Sequence, residues 1–138
     1  MKKALALALA LILALCLGGC GRYSSSYKAV GFVHSNTSSS AFMSFYTFEG
    51  RMVFKLQCFN ENGGQLKYSV KLESGCATVY CDAGEKRELV RVNAGDEAAS
   101  VGGQFARGTV YVIVETDEKC QNGAFRFEID SQQDIGTV

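Results

Sequence analysis

Cysteine offers the widest choice of chemistry in this sequence. Four cysteines lie after residue 50, at Cys58, Cys76, Cys81 and Cys120. Thiols at such positions form disulfides, stay as buried thiols or bind a metal ion, depending on the compartment of the protein. Zinc is the least favoured partner, because the four lack the C-x-x-C spacing and the single histidine, His34, is distant in sequence. We interpret His34 as a surface residue.

Carboxylates are the second group of residues with chemical potential. They cluster in three predicted loops, as Asp82 with Glu85, Asp96 with Glu97, and Glu115 with Asp117 and Glu118. Carboxylate oxygens from loops can hold calcium, but none of these clusters has an ordered ligand pattern. We expect solvated turn residues, and calcium is the one cofactor that the sequence leaves open.

Motifs for enzymatic catalysis are absent from the sequence. It has no GxSxG elbow, no HExxH helix, no phosphate-binding glycine loop and no cysteine with an evident histidine partner. We therefore predict no catalytic residues and a protein that is not an enzyme.

The N-terminus has the layout of an export signal. Lys2 and Lys3 precede an uninterrupted apolar run from Ala4 to Leu17. At ~1.5 Å per residue the run forms a helix of about 21 Å, shorter than the roughly 30 Å of a bilayer core. A permanent transmembrane span is therefore less favoured than a cleaved signal over residues 1–19.

The residues that close this run are more specific. Leu17-Gly18-Gly19-Cys20 resembles the lipobox of bacterial lipoproteins. The resemblance implies that signal peptidase II recognises Leu17, Gly18 and Gly19 and cuts before Cys20, whose sulfur receives a diacylglyceryl group. Two or three acyl chains anchor a protein durably. The expected location is the cell membrane, with a lipid anchor, on the extracytoplasmic face.

Export bears on the chemistry of the four later cysteines, because disulfides are the default in an oxidising compartment. Cys76 and Cys81 are separated by about 16 Å of extended strand, and bonded cysteines need Cα atoms within roughly 7 Å. Two schemes remain: Cys58–Cys76 with Cys81–Cys120, or Cys58–Cys81 with Cys76–Cys120. Each bridge would contribute about 2–4 kcal/mol. Free thiols are the alternative, in an anaerobic host.

Composition limits the partners. Removal of residues 1–19 leaves 119 residues, with 12 basic against 14 acidic side chains because Lys2 and Lys3 leave with the signal. A net charge of −2 and scattered basic residues argue against nucleic acid, which demands clustered Lys or Arg. The expected partners are the membrane, through the lipid, and an unknown protein or glycan.

From Phe42 onward the chain has short runs with the alternation of β-strands. Residues 20–41 are a serine-rich segment that serves either as a tether of about 25 Å or, over residues 27–34, as an edge strand. Residues 42–130 form the predicted domain, residues 93–104 a long connection within it, and 131–138 a C-terminal tail. Seven predicted strands, with an eighth at 27–34, indicate an all-β antiparallel β-sandwich of jelly-roll or Ig-like type. The seven are residues 42–48, 52–58, 66–72, 76–82, 89–92, 109–116 and 125–129.

The end of the chain carries a second resemblance. Residues 108–114 (GTVYVIV), a loop and residues 125–129 (FRFEI) resemble the closing hairpin of the bacterial pre-peptidase C-terminal domain, a jelly-roll-like sandwich. The acidic D-x-D-L stretch of that family is missing, so no calcium or ligand site is carried over from it.

Aromatic residues suggest binding as the function. Strand 42–48 has aromatic side chains on both faces, and Tyr111 and Ile113 form a second apolar face on strand 109–116. Such faces are covered by a loop, by the 27–34 patch or by another molecule. We predict a non-catalytic binding or envelope module; the alternative is an inhibitor or accessory subunit of an exported enzyme.

Overall fold

The computed structural model describes residues 23–130, except for the side chain of Asp130. The predicted signal, with Leu17, Gly18, Gly19 and Cys20, and the predicted tail 131–138 lie outside the described residues. Within that range every regular element is a strand, and all strand pairs are antiparallel. The nine strands are β1 (Ser26–Val30), β2 (Val33–Asn36), β3 (Ser40–Cys58), β4 (Gly64–Ser74), β5 (Cys76–Asp82), β6 (Lys86–Asn93), β7 (Glu97–Phe105), β8 (Gly108–Thr116) and β9 (Cys120–Asp130).

Strand β3 organises the fold, because it belongs to both layers of the sandwich. The sequence predicted two strands with a turn at Glu49-Gly50, whereas the structure has one strand of 19 residues. Met43 and Phe45 are buried in its first half, Phe54 and Leu56 in its second, so the inward face changes from odd to even positions. The change occurs near Gly50, where φ is +129° and a Cβ would lie 2.3 Å from the carbonyl oxygen of Ser26. Only glycine fits this bend.

The strand order β6-β5-β8-β3-β9-β4-β7 therefore folds into two layers. One layer contains β6, β5, β8 and the second half of β3; the other contains the first half of β3, β9, β4 and β7. The outer edges approach each other, since the Arg87 guanidinium of β6 lies 5.0 Å from the Phe105 ring of β7. The predicted all-β antiparallel sandwich is confirmed, with nine strands rather than seven or eight and a nearly closed form.

Two local predictions are wrong. The segment 93–104 was predicted as a connection, yet Glu97–Phe105 is strand β7, which pairs only with β4 among the described strands. Its residues are small or polar and mostly exposed. This edge strand therefore lacks the alternation of apolar and polar residues from which strands are predicted. Strands β8 and β9 also do not pair with each other as a hairpin. Both pair with β3, β8 with its second half and β9 with its first half.

The serine-rich segment is part of the sheet from Ser26 onward. Val30 lies opposite Thr47 and Val33 opposite Ser44, so the register of β1 continues into β2 without a shift across residues 31–32. The segment also covers the backbone of the second half of β3. The amides of Val53, Lys55 and Gln57 donate to Ser25 Oγ, Asn36 Oδ1 and the Ser38 carbonyl, at 2.9, 3.0 and 2.6 Å.

The core lies between the two layers and is rich in aromatic side chains. Phe45 and Phe48 pack with their ring centroids 5.3 Å apart, and Phe54 and Phe127 with theirs 6.2 Å apart, both pairs tilted. The largest fully buried side chains of this core are Phe48, Phe54, Phe125, Phe127, Met43, Leu56, Leu66, Leu72 and Ile129. No helix long and apolar enough to cross a membrane occurs among residues 23–130.

Candidate binding face

The outer face of the β3–β9–β4–β7 layer carries the strongest candidate site. Cross-strand pairing places Phe42, Arg126, Ser69 and Ala99 in one row across the four strands. The Arg126 guanidinium lies 5.1 Å from the centre of the Phe42 ring, within cation–π range. An aromatic ring and a cation are thereby held together on an outward-facing surface.

The next row consists of Ser44, Ala124, Lys71 and Glu97. Because Ser44 and Ala124 are small, the middle of the face is recessed. A pocket of about 160 Å³ lies between the two rows, and its lining includes the Phe42 ring and the side chains of Lys71 and Glu97.

A third row adds the most exposed aromatic side chain of the face, Tyr46, which is 58% accessible. Asn122 lies opposite it, between residues that pair with Thr47 and Phe45. Its φ of +49° is a left-handed conformation, which asparagine tolerates better than most residues. The Asn122 amide donates to Glu73 Oε2 at 2.8 Å, so both side chains are held in position.

A larger groove of about 450 Å³ lies beside this row, where the ends of β4 and β9 meet the turn before β7. The Phe45 ring contributes to its floor. Gly123 lies against that ring so closely that a Cβ on this residue would be 2.4 Å from Phe45 Cζ. The polar rim is formed by Lys71, Glu73, Asp96, Glu97 and Asn122.

This combination suits a ligand with both apolar and polar surfaces. Binding sites typically pair an apolar or aromatic lining with a few convergent polar groups, and the face provides rings, carboxylates, an amide and a cation within three adjacent rows. The sequence pointed to strand 42–48 through its two-sided aromatic pattern. It gave no sign of Arg126, Asn122 or Lys71, whose positions depend on the order of the strands.

The 27–34 patch forms an aromatic border at the edge of the same layer. Tyr27 stacks on the buried Phe48 at 5.2 Å, and Phe32 contacts both rings. His34 stacks on Phe32 at 4.8 Å and is exposed, as predicted. The patch therefore packs against the domain, with the rings of Tyr27 and Phe32 over the buried Phe48.

The four predicted disulfide cysteines are free thiols, and the register explains why neither scheme forms. Cys58 lies opposite Gly108 of β8, whereas Cys81 lies opposite Val112 and Cys76 beyond Thr116. At about 3.3 Å per residue, Cys58 is about 13 Å from the level of Cys81 and about 30 Å from that of Cys76. Both schemes require Cys58 to pair with one of these two residues, so neither scheme is present in this arrangement of strands.

Neither Cys76 nor Cys120 has the lowered thiol pKa that a nucleophilic cysteine needs. Burial, and a hydrogen bond to the Asp117 carboxylate at 3.5 Å, raise the pKa of the Cys76 thiol. Burial raises the pKa of Cys120 to about 11. The reactive form of cysteine is the thiolate, and both groups are protonated at neutral pH.

Each predicted acidic cluster contains at least one carboxylate with a protein partner. Asp82 is buried and accepts hydrogen bonds from the Tyr23 hydroxyl and from the Gly84 amide. Asp96 Oδ2 accepts a hydrogen bond from the backbone N–H of Asn93 at 2.7 Å. Glu115 pairs with Arg51 and Lys86, and Asp117 with Arg91. Within residues 23–130 no group of three or more potential metal ligands is assembled.

In the layer of β5 and β8, the second apolar face of β8 is covered by Tyr23. The Tyr23 ring packs against Tyr111 at 5.5 Å between centroids, and its hydroxyl bonds to Asp82 on the neighbouring strand. Ile113, on the same side of β8 as Tyr111, is fully buried. The sequence predicted that this face needs a cover but did not identify Tyr23.

No protein-family model and no curated protein matches this chain. Among solved structures it is similar to PliG of Aeromonas hydrophila, a periplasmic inhibitor of g-type lysozyme, with 14% identity over 67% of this chain and 88% of that one, and a TM-score of 0.47. It is also similar to TmCBM61 in complex with beta-1,4-galactotriose, with 13% identity over 78% and 85% and a TM-score of 0.44. At these values the similarities do not identify a function for this chain.

Proposed function

We propose that this protein is a lipid-anchored, extracytoplasmic binding module without catalytic activity. The observation that carries the binding proposal is the outer face of β3, β9, β4 and β7, with exposed Tyr46, the Phe42–Arg126 pair and the groove above Phe45. The anchoring proposal rests on Leu17-Gly18-Gly19-Cys20. The absence of a catalytic motif and the raised pKa values of the Cys76 and Cys120 thiols support a binding role.

A glycan is the ligand class that the face favours. Sugar rings have apolar faces that pack on aromatic rings, and their hydroxyl groups bond to carboxylates, amides and cations such as Glu73, Asn122 and Lys71. The spacing of these groups across three rows suits an extended chain of several sugar units better than a single compact molecule.

A protein ligand is the second candidate, and it includes the inhibitor or accessory-subunit hypothesis. Val30 and Val33 are each 60% exposed on the edge strand that borders this face. Exposed apolar side chains next to an unpaired strand edge are features of protein-binding surfaces.

Substitutions on the face test the binding proposal. Three soluble domains (residues 23–138) are compared: the wild type, Tyr46→Ala and the control Phe59→Ala. Their binding to an immobilised glycan panel and to exported glycan-degrading enzymes is measured. Phe59 is 60% exposed in the loop after β3, away from the face. We expect Tyr46→Ala to weaken binding at least about tenfold, or about 1.4 kcal/mol, and Phe59→Ala to leave it unchanged. Equal affinity of both variants would contradict the assignment of this face.

Membrane fractionation of full-length protein tests the anchor. Wild type is expected in the membrane fraction with an acylated Cys20, and Cys20→Ser in the soluble fraction or as uncleaved precursor. A wild-type protein without acyl groups on Cys20 would contradict lipid anchoring, whatever the binding results are.

A further inference from the structure

The N-terminal end of the described chain is fixed to the domain at Tyr23. Its hydroxyl donates to Asp82 of β5 and its ring packs on Tyr111 of β8. Two residues later, Ser25 Oγ accepts the Val53 amide of β3 at 2.9 Å, and β1 begins at Ser26. The path of the chain is therefore defined from Tyr23 onward.

Covalent geometry then limits how far Cys20 can be from this attachment. Only three peptide units join Cys20 to Tyr23, and at 3.8 Å each their Cα atoms are at most about 11 Å apart. The sequence allowed a flexible tether of about 25 Å over twenty residues. The docking of Tyr23 shortens the free segment to a fraction of that, so a lipid on Cys20 must enter the bilayer close to Tyr23.

Tyr23 lies on the outer face of the β5–β8 layer, the side of the sandwich opposite the candidate binding face. Cross-strand pairing places Asp82, Tyr111 and Lys55 in one row there, and Tyr80 next to Ile113. Lys86 Nζ lies 4.4 Å from the centre of the Tyr80 ring. Tyrosine rings and lysine side chains are favoured at membrane–water interfaces, because they have both an apolar and a polar part.

We propose that the outer face of β5 and β8 lies against the bilayer that holds the Cys20 lipid, and that the binding face is thereby directed away from the membrane. This inference rests on the lipid anchor of the proposed function. The two-layered fold separates the faces: the membrane-facing layer contains the attachment of the chain, and the other layer contains Tyr46, Asn122 and the groove. Ligands then reach the site from the side away from the bilayer without displacing the protein from it.

Tryptophan fluorescence tests this orientation, because the chain contains no tryptophan. Full-length, lipid-modified Tyr80→Trp and Tyr46→Trp are reconstituted into phosphatidylethanolamine–phosphatidylglycerol vesicles with and without brominated acyl chains. We expect brominated lipid to quench Tyr80→Trp at least about twofold more than Tyr46→Trp. A third protein combines Tyr80→Trp with a twenty-residue Gly-Ser insert between residues 22 and 23, a linker that reaches about 25 Å, and is expected to lose most of this quenching.

The outcomes separate the two proposals. Thermal unfolding first establishes that each variant is folded, and intact mass measures acylation of Cys20. Acylated, vesicle-bound protein with equal quenching at both positions, or with stronger quenching of Tyr46→Trp, overturns the orientation and leaves the lipid anchor standing. Unchanged quenching after the Gly-Ser insertion also overturns it, because the short connection would then not orient the domain. Protein without acyl groups refutes the anchor, and the orientation with it.

Discussion

Replacing Tyr23 by phenylalanine removes one hydrogen bond that joins the start of the domain to its β5–β8 layer. The Tyr23 hydroxyl donates to Asp82 Oδ2, and Asp82 is 1% exposed. The Tyr23→Phe variant keeps the ring on Tyr111 but leaves a buried carboxyl with one donor fewer. Hydrogen bonds to charged groups are worth about 1.5–3 kcal/mol, so we expect the free energy of unfolding to fall by roughly that amount. For a domain of this length the loss corresponds to a decrease in Tm of roughly 5–15 °C.

The matched control is Tyr46→Phe, which removes a hydroxyl from a tyrosine that is 58% exposed. Urea unfolding of the soluble domain, followed by circular dichroism, gives both free energies, and equal m-values would show that the unfolding transition is comparable. We expect less than about 0.5 kcal/mol of change for the control. Equal stability of Tyr23→Phe and wild type would refute the hydrogen bond to Asp82, one of the two contacts on which the short membrane connection rests.

Three further predictions concern the core, the groove and alkaline pH. Phe54→Ala removes a fully buried ring and should cost about 3–5 kcal/mol, measured by urea unfolding. Gly123→Ala places a methyl group 2.4 Å from Phe45 Cζ and should cost about 1–3 kcal/mol through overpacking; unchanged stability would contradict the close contact. The pKa of Cys120 is about 11 in the folded protein and near 9 in the unfolded chain, so only the unfolded chain loses the proton between these values. Stability should fall as pH rises across that window, and less steeply in Cys120→Ala; identical slopes would contradict the pKa shift.

The elements with clear alternation were predictable from sequence. Leu66, Val70 and Leu72 are buried along β4, as the period of two predicts. β7 escaped prediction because an edge strand of small and polar residues has no apolar face. β3 was divided in two because Glu49-Gly50 is a good turn signal, whereas Gly50 here bends a continuous strand without ending it.

The candidate site was predicted only in its aromatic part. Phe42 and Tyr46 belong to a strand whose two-sided aromatic pattern is visible locally. Arg126, Lys71 and Asn122 come from β9 and β4, and they reach the same face because β9 pairs with β3 on one side and β4 on the other. Pairing over more than fifty residues of separation leaves no local signal.

By itself the sequence determined an all-β, antiparallel sandwich, because alternating polar and apolar side chains favour half-buried strands wherever these strands pair. The tertiary structure decided the rest: that Cys58 lies far from both Cys76 and Cys81 along β8, that Tyr23 docks on Asp82 and Tyr111, and that one outer face collects rings, charges and a groove. The physical reason is that alternation depends on neighbours along the chain, whereas distances between thiols, rings and carboxylates depend on which strand edges meet in space.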